Sequence, residues 1–403
     1  MTDLSSHVQA VLPEVVALRR DLHAHPELGF QEERTARRVA TILAGAGRLS
    51  IRTGVARTGI VALLNAGKPG PCLALRADMD ALPIVEQTGV PYASQTPGIM
   101  HACGHDGHTS CLVGAALVLS RVAEELPGSL KFIFQPAEEN DGGGRAMVEA
   151  GVLEDPRVDA AIALHAWPAQ PVGTISVRSG PAMAAVDSAI VTVVGKGSHG
   201  AYPHRGIDPI ATAAHTIVAL QTIVSRTVDP IDCAVVTVGS IHAGTVPNII
   251  PPECRMEITL RSHRRDTRKR LQEMVRQIAE NTASAFGATA RIEIHEGYPV
   301  TVNDPALAEW IVGVGREVLG PERTVTTDPP SMGAEDFAFY AERVPAVMFR
   351  LGVRPSHMDT YPGLHNPEFN FNDDAAPTGI RMLCELAVRF LHEQPLRAAG
   401  IGR

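Results

Sequence analysis

The middle of the chain carries the clearest change of rhythm between apolar and polar positions. Asp187 to Val194 reads as a strand, and Asp208 to Arg226 as a helix, with Asp208 placed to cap it and Pro209 at its first position. Two strand-like runs follow at Cys233 to Ile241 and Glu253 to Leu260. A helix over Thr267 to Phe286 and a strand over Ala288 to His295 complete the series. The order βαββαβ predicts the split-βαβ unit of ferredoxin-like domains, a compact sheet with two helices on one face.

The flanking segments alternate strands with helices. Apolar runs at Cys72 to Ala77, Leu130 to Gln135 and Ala160 to His165 predict strands, with a helix from about Thr109 to Glu124 between the first two. A further strand is expected at Ala346 to Leu351. A long last helix is expected from about Asp373 to His392, capped near Asn372 or Asp373. This is an α/β pattern, expected to form a mixed central sheet flanked by helices. The expected organisation is one discontinuous domain, residues 1–185 and 298–403, interrupted by a smaller domain at residues 186–297.

Composition narrows the function. The 403 residues exceed what one core usually serves, and 45% hydrophobic with 20% charged residues is ordinary globular composition. A net charge of −8 without a basic block argues against nucleic acid or an anionic membrane as a partner. The basic stretch Arg261 to Arg270 runs into a helical pattern and reads as a solvated face. Residues 1–25 hold no long apolar run, so neither a signal peptide nor a membrane anchor is expected, and the expected location is the cytoplasm. Six cysteines, at 72, 103, 111, 233, 254 and 384, show no paired spacing and are expected to be thiols.

Candidate chemistry gathers where the strands of an open α/β sheet end. The first run leads into Asp78-Met79-Asp80, the second into Pro136-Ala137-Glu138-Glu139, and the third ends at His165. Met100 to His108 packs five possible ligands into a short segment before a helix. Alternation along an extended segment would bring Cys103 and His105 to one ion, with Gly104 keeping the backbone clear. His365 lies in another His-containing loop, Gly363 to Pro367. Adjacent Glu138 and Glu139 would repel one another in a crevice unless a cation neutralises one and the other waits beside it to take a proton.

Taken together, these segments resemble the M20 metallopeptidase family, in the branch of hippurate hydrolase, bacterial N-acyl amino acid amidohydrolases and plant auxin-conjugate hydrolases. The resemblance rests on Leu22 to Glu27, Arg76 to Pro83, His101 to His108, Gln135 to Glu139, Gly333 to Phe337 and Leu364 to Pro367. It implies a zinc-exopeptidase-like catalytic domain with an inserted domain serving as lid and dimerisation surface. Two divalent ions would be held by Cys103, His105, Glu139, His165 and His365, with Glu138 as general base. It also implies His199 as oxyanion donor and Asn248 as its companion in substrate binding, both in the inserted domain. Arg261 is a weaker candidate, its fork of donors suited to a substrate carboxylate. Other branches carry His-x-Asp where this chain has Asp78-Met79-Asp80, so Asp80 is expected to orient a ligand and not to be one.

The implied reaction is hydrolysis of the amide of an N-acyl amino acid by a homodimer or higher homo-oligomer, with no nucleic-acid or membrane partner. Thiolate ligation suits zinc, while mixed N, O and S sites also accept manganese, cobalt or nickel. Dipeptidase or aminopeptidase activity of the same family is an alternative reading. A cysteine amidase using Cys103 and His105 would leave Glu139, His165 and His365 idle. A catalytically silent ligand-binding relative would have no use for the full set of ligand types together with Glu138.

Overall fold

The computed structural model describes residues 4–140 and 142–398. The chain forms two compact units, one drawn from within Met1–Gly180, Val302–Pro329 and Asp336–Arg403, the other from Pro181–Thr301 and Pro330–Glu335.

The first unit is built on an eight-stranded mixed sheet. Strand Cys72–Asp78 lies between Ser129–Gln135 and Ala160–Pro171, parallel to both, and Ala346–Arg354 adds in parallel to the far side of Ala160–Pro171. Every residue of Cys72–Asp78 and Ser129–Gln135 is buried, which is why these strands read as apolar runs without alternation. Leu49–Val55 and Gly59–Leu64 extend one side as an antiparallel pair, and short strands Ile175–Ser176 and Thr324–Val325 extend the other. Helices Leu4–Ala24, His105–Arg121 and Ala376–Glu393 pack on one another, sharing a core that includes Val15, Leu18, Leu112, Leu119, Leu383 and Phe390.

Two basic residues interrupt strands Cys72–Asp78 and Ser129–Gln135, and both are engaged. Lys131 Nζ donates to the carbonyls of Val152, Glu154 and Pro156 at 2.9, 2.6 and 3.0 Å. Arg76 pairs with Asp78 at 2.7 Å and with Asp336 at 2.8 Å.

In the second unit the strands lie in the order Ala234–Ala243, Glu253–Ser262, Ala185–Val194, Thr289–Glu296, all antiparallel. Helices Pro209–Thr222 and Arg265–Ala285 pack together against that sheet through Leu220, Met256, Leu260 and Val275. This is the ferredoxin-like arrangement. Asp208 caps its helix, accepting from the amides of Ile210 at 2.8 Å and Ala211 at 3.3 Å.

Several elements differ from their sequence-based expectation. The third run does not end at His165 but continues to Pro171, so His165 sits inside a strand. The helix expected from Thr109 begins at His105, and the last helix begins at Ala376 after a short 3₁₀ turn at Asp373–Ala375. Helix Leu4–Ala24 was not anticipated, although Leu4, Val8, Val11, Val15, Leu18 and Leu22 form its buried stripe. Among the described residues, no helix is long and apolar enough to cross a membrane.

Asp187 ties the strand Ala185–Val194 to helix Arg265–Ala285 and to Gly297, just past the neighbouring strand Thr289–Glu296. Nearly buried on the strand through which the chain enters, it accepts from Arg268 Nη2 at 2.6 Å, Gln272 Nε2 at 2.8 Å and the Gly297 amide at 3.1 Å. Removing one partner of such a pair strands the other charge, so Asp187→Ala should destabilise this unit by about 3 kcal/mol in urea unfolding. An unchanged midpoint would show that water satisfies Arg268 equally well.

Candidate metal centre

The parallel strands Cys72–Asp78 and Ser129–Gln135 end side by side, and each delivers a carboxylate segment. Past the first, Asp80 makes two links. Its Oδ1 lies 3.2 Å from His105 Nδ1, which is also 2.9 Å from the Asp80 carbonyl, and its Oδ2 accepts the Glu139 amide at 3.0 Å. Both acceptors place the proton on His105 Nδ1, leaving Nε2 as the nitrogen available to a ligand.

Cys103 and His105 converge by a different geometry from the alternation expected of an extended segment. Gly104 has φ of +90°, a conformation that L side chains rarely adopt, and His105 opens the following helix. A left-handed glycine followed directly by a helix turns both side chains to one side. Cys103 Sγ lies 3.6 Å from His165 Nε2, while His165 Nδ1 donates to the Ala166 carbonyl at 2.8 Å. His365, whose amide donates to the Ala102 carbonyl at 2.8 Å, brings its Nε2 within 3.4 Å of Glu139 Oε2.

Among the described residues, five groups of ligand atoms lie within 4.8 Å of one another, and three of them consist only of expected residues: Cys103, His105 and His165; Cys103, Glu139 and His365; His105, Glu138 and Glu139. All five expected ligands and Glu138 therefore meet in the first unit. His105 Nε2 and Glu139 Oε1 are buried without a hydrogen-bond partner, 3.8 Å apart. Orphaned buried atoms of this kind, beside a thiol and further imidazoles, fit a divalent cation well.

The electrostatics favour positive charge at the same place. Burial lowers the pKa of His105, but Asp78, Asp80 and Glu139 outweigh it and push the value up to about 10. His165 is driven well below the usual histidine range by burial and then by neighbouring His108, so it stays neutral, as a ligating imidazole must. Asp78 is already engaged through both oxygens. Arg76 and His108 take its two oxygens at 2.7 Å each, and its pKa lies well below the ordinary value because His105, His108 and Arg76 overcome the effect of burial.

Several supporting residues were not assigned a role from sequence. His108 Nε2 accepts the Ala166 amide at 2.7 Å, fixing the backbone beside His165. Asp336 accepts from Arg76, Gln135 and the Gly144 amide, all at 2.6 to 2.9 Å. The signal for Asp336 was Arg76 itself, since an arginine inside an apolar strand requires buried carboxylates.

The remaining candidates lie in the second unit. His199 is exposed on a two-residue strand, Ser198–His199, paired with Ile249–Ile250, and the Gly200 amide donates to the Asn248 carbonyl at 2.7 Å. His199 Nδ1 accepts the Ala201 amide at 3.1 Å, which leaves the ring proton on Nε2 as a donor. Arg261 is half-buried, with Nη1 3.5 Å from the Met332 carbonyl.

Comparison with known proteins accords with this geometry. The family model described as peptidase family M20/M25/M40 matches residues 74–389. The chain is 40% identical over 379 residues to N-acetyl-L-cysteine deacetylase of Bacillus subtilis, covering 94% of this chain and 88% of that protein. It is 38% identical to IAA-amino acid hydrolase ILR1-like 4 of Arabidopsis thaliana, covering 96% of this chain and 88% of the relative. The crystal structure of the Bacillus subtilis YXEP protein, a dinuclear metal-binding peptidase of the M20 family, superposes with a TM-score of 0.83. It shares 36% identity, over 95% of this chain and 99% of that one. Five converging candidate ligands, two orphaned buried atoms among them and a match over most of the chain lead to one conclusion: the chain belongs to peptidase family M20/M25/M40.

Proposed function

We propose that the protein is a metal-dependent amidohydrolase that cleaves the amide of N-acyl amino acids into a carboxylic acid and a free amino acid. The observation that carries this reading is the meeting of Cys103, His105, Glu139, His165 and His365 around orphaned buried atoms, with a second carboxylate, Glu138, among them. The names of relatives that act on N-acetylcysteine and on amino-acid conjugates of an auxin support the substrate class.

In this reading, Cys103, His105, Glu139, His165 and His365 hold two divalent ions, as in the dinuclear M20 peptidase of Bacillus subtilis. Bound there, such ions supply Lewis acidity toward the amide carbonyl and lower the pKa of water. Glu138 accepts the proton of the attacking water and passes it to the leaving nitrogen, which must be protonated to depart at neutral pH. Glu138 is 5% exposed, and one carboxylate oxygen, Oε1, accepts the Asp336 amide at 3.3 Å, which restrains its orientation. His199 donates from Nε2 to the carbonyl oxygen as charge develops there. Asn248 and Arg261 bind the substrate, Arg261 through its carboxylate.

The second unit, in this reading, serves as lid and as dimer contact. Strand Ala234–Ala243 is an edge of its sheet, and Ile231, Val218, Ile241 and Val246 lie exposed on the same unit. An unpaired edge with exposed apolar residues is the kind of surface that a second copy covers through a two-fold contact.

A panel of N-acetyl, N-benzoyl and indoleacetyl amino acids together with dipeptides tests the substrate class, and the N-acyl amino acids should turn over fastest. Glu138→Gln should lower kcat by about 10²-fold or more while leaving bound metal in place, because the amide retains the shape but takes no proton. Near-normal turnover in that variant would remove Glu138 from the mechanism.

Where His199 acts is open to a direct test. Co-assembly of inactive Glu138→Gln and inactive His199→Ala subunits should restore a measurable fraction of wild-type activity if His199 serves the partner's site. Mixed dimers that stay inactive would assign it to its own chain, through closure of the lid.

A further inference from the structure

The segment Pro136-Ala137-Glu138-Glu139 carries two adjacent carboxylates and has an unusual backbone. Ala137 has φ of +52°, in the left-handed region that residues with a Cβ rarely adopt, and it is fully buried. A backbone of this kind persists only where its surroundings hold it.

Its carbonyl side is gripped by the chain that follows. The Gly143 amide donates to the Ala137 carbonyl at 2.9 Å. A Cβ on Gly143 would lie 1.7 Å from the Pro136 carbonyl oxygen, so only glycine permits the approach.

Its N–H side is gripped from far away in sequence, by Glu32. Oε1 of Glu32 accepts the Ala137 amide at 2.8 Å, and Oε2 accepts the Thr58 hydroxyl at 2.5 Å. Glu32 has no exposed surface. It stands at the N-terminus of helix Glu33–Gly45, where a side chain would ordinarily cap the helix, but its own makes no capping bond. Glu27 does that work instead, accepting the amides of Arg34 at 3.0 Å and Thr35 at 2.8 Å. Glu32 is thereby left to reach the carboxylate segment.

We propose that Glu32 is a positioning residue that holds Ala137 left-handed and so sets the directions of Glu138 and Glu139. The role in catalysis rests on the reading of Glu138 as general base; the role in holding the backbone does not. What Ala137 needs is a fixed acceptor, not a charge. Burial pushes the Glu32 carboxyl up to about 7, and Asp80, the charged group near it, adds to the rise against the Thr58 bond. Glutamine is therefore a fair replacement: its oxygen accepts from Ala137 and its amide donates to Thr58. Methionine of similar size fills the space and accepts nothing.

The test compares Glu32→Gln and Glu32→Met with wild type by two readouts. In the metal-free protein, hydrogen exchange of the segment 135–140 should quicken about tenfold or more in Glu32→Met and stay near wild type in Glu32→Gln. In the metal-loaded enzyme, kcat for the best N-acyl amino acid should fall at least about tenfold in Glu32→Met, with KM within about twofold, and Glu32→Gln should stay within about threefold of wild type. Unchanged exchange in Glu32→Met, or a Glu32→Gln variant as impaired as Glu32→Met, would overturn the proposal. Should Glu32→Met fail to fold, Thr58→Val loosens the same carboxylate and should raise exchange in that segment; wild-type exchange there would count against it equally. Absence of N-acyl amino acid turnover in the wild type would defeat the functional reading alone, since the exchange result stands without it.

Discussion

Asp80 links the two halves of the candidate centre. One oxygen orients His105 and the other accepts the amide of Glu139, so a single buried carboxylate sets both a candidate ligand that begins a helix and one that follows a strand. The arrangement depends on two parallel strands, Cys72–Asp78 and Ser129–Gln135, being hydrogen-bonded neighbours, which brings their carboxyl ends within reach of one side chain. Burying so many carboxylates and imidazoles is costly unless each finds a partner. Arg76, Asp78, His108 and Asp336 form one hydrogen-bonded chain around this core, whereas His105 Nε2 and Glu139 Oε1, buried without a hydrogen-bond partner, lie where the candidate ligands converge.

Much of this was legible in the sequence because buried parallel strands leave a plain mark. Cys72 to Ala77 and Leu130 to Gln135 are near-continuous apolar runs, and the polar residues that follow them mark the strand ends. The ferredoxin-like unit was legible for a different reason: the order of its elements, with Asp208 and Pro209 opening a helix, admits few arrangements. Ligand types could be read as well, but their route to one another could not. His365 meets Glu139 across more than 220 residues of chain, and no local pattern encodes that contact. Cys103 and His105 converge through a left-handed glycine and a helix start four residues earlier than periodicity predicts, since the polar residues of that first turn are all buried and break the expected apolar stripe. The strand through His165 runs on to Pro171 because it has hydrogen-bonded partners along Ala346–Arg354, which propensity alone does not reveal.

The two units carry different parts of the proposed chemistry. The first contains the candidate ligands and Glu138, with His105 and the Glu139 amide fixed by Asp80 and Glu138 by the Asp336 amide. The second carries His199 on a short ribbon whose register with Ile249 places Asn248 beside it.

The central claim is that the converging side chains form one two-ion centre. Its most direct measurement is metal stoichiometry, by elemental analysis of the purified protein equilibrated with zinc or manganese, compared between wild type and a His165→Ala variant. The account predicts about two ions per chain in wild type and a clear loss in the variant, with folding unchanged by circular dichroism. A wild-type protein that binds no divalent ion, or a His165→Ala variant that retains both, would contradict it.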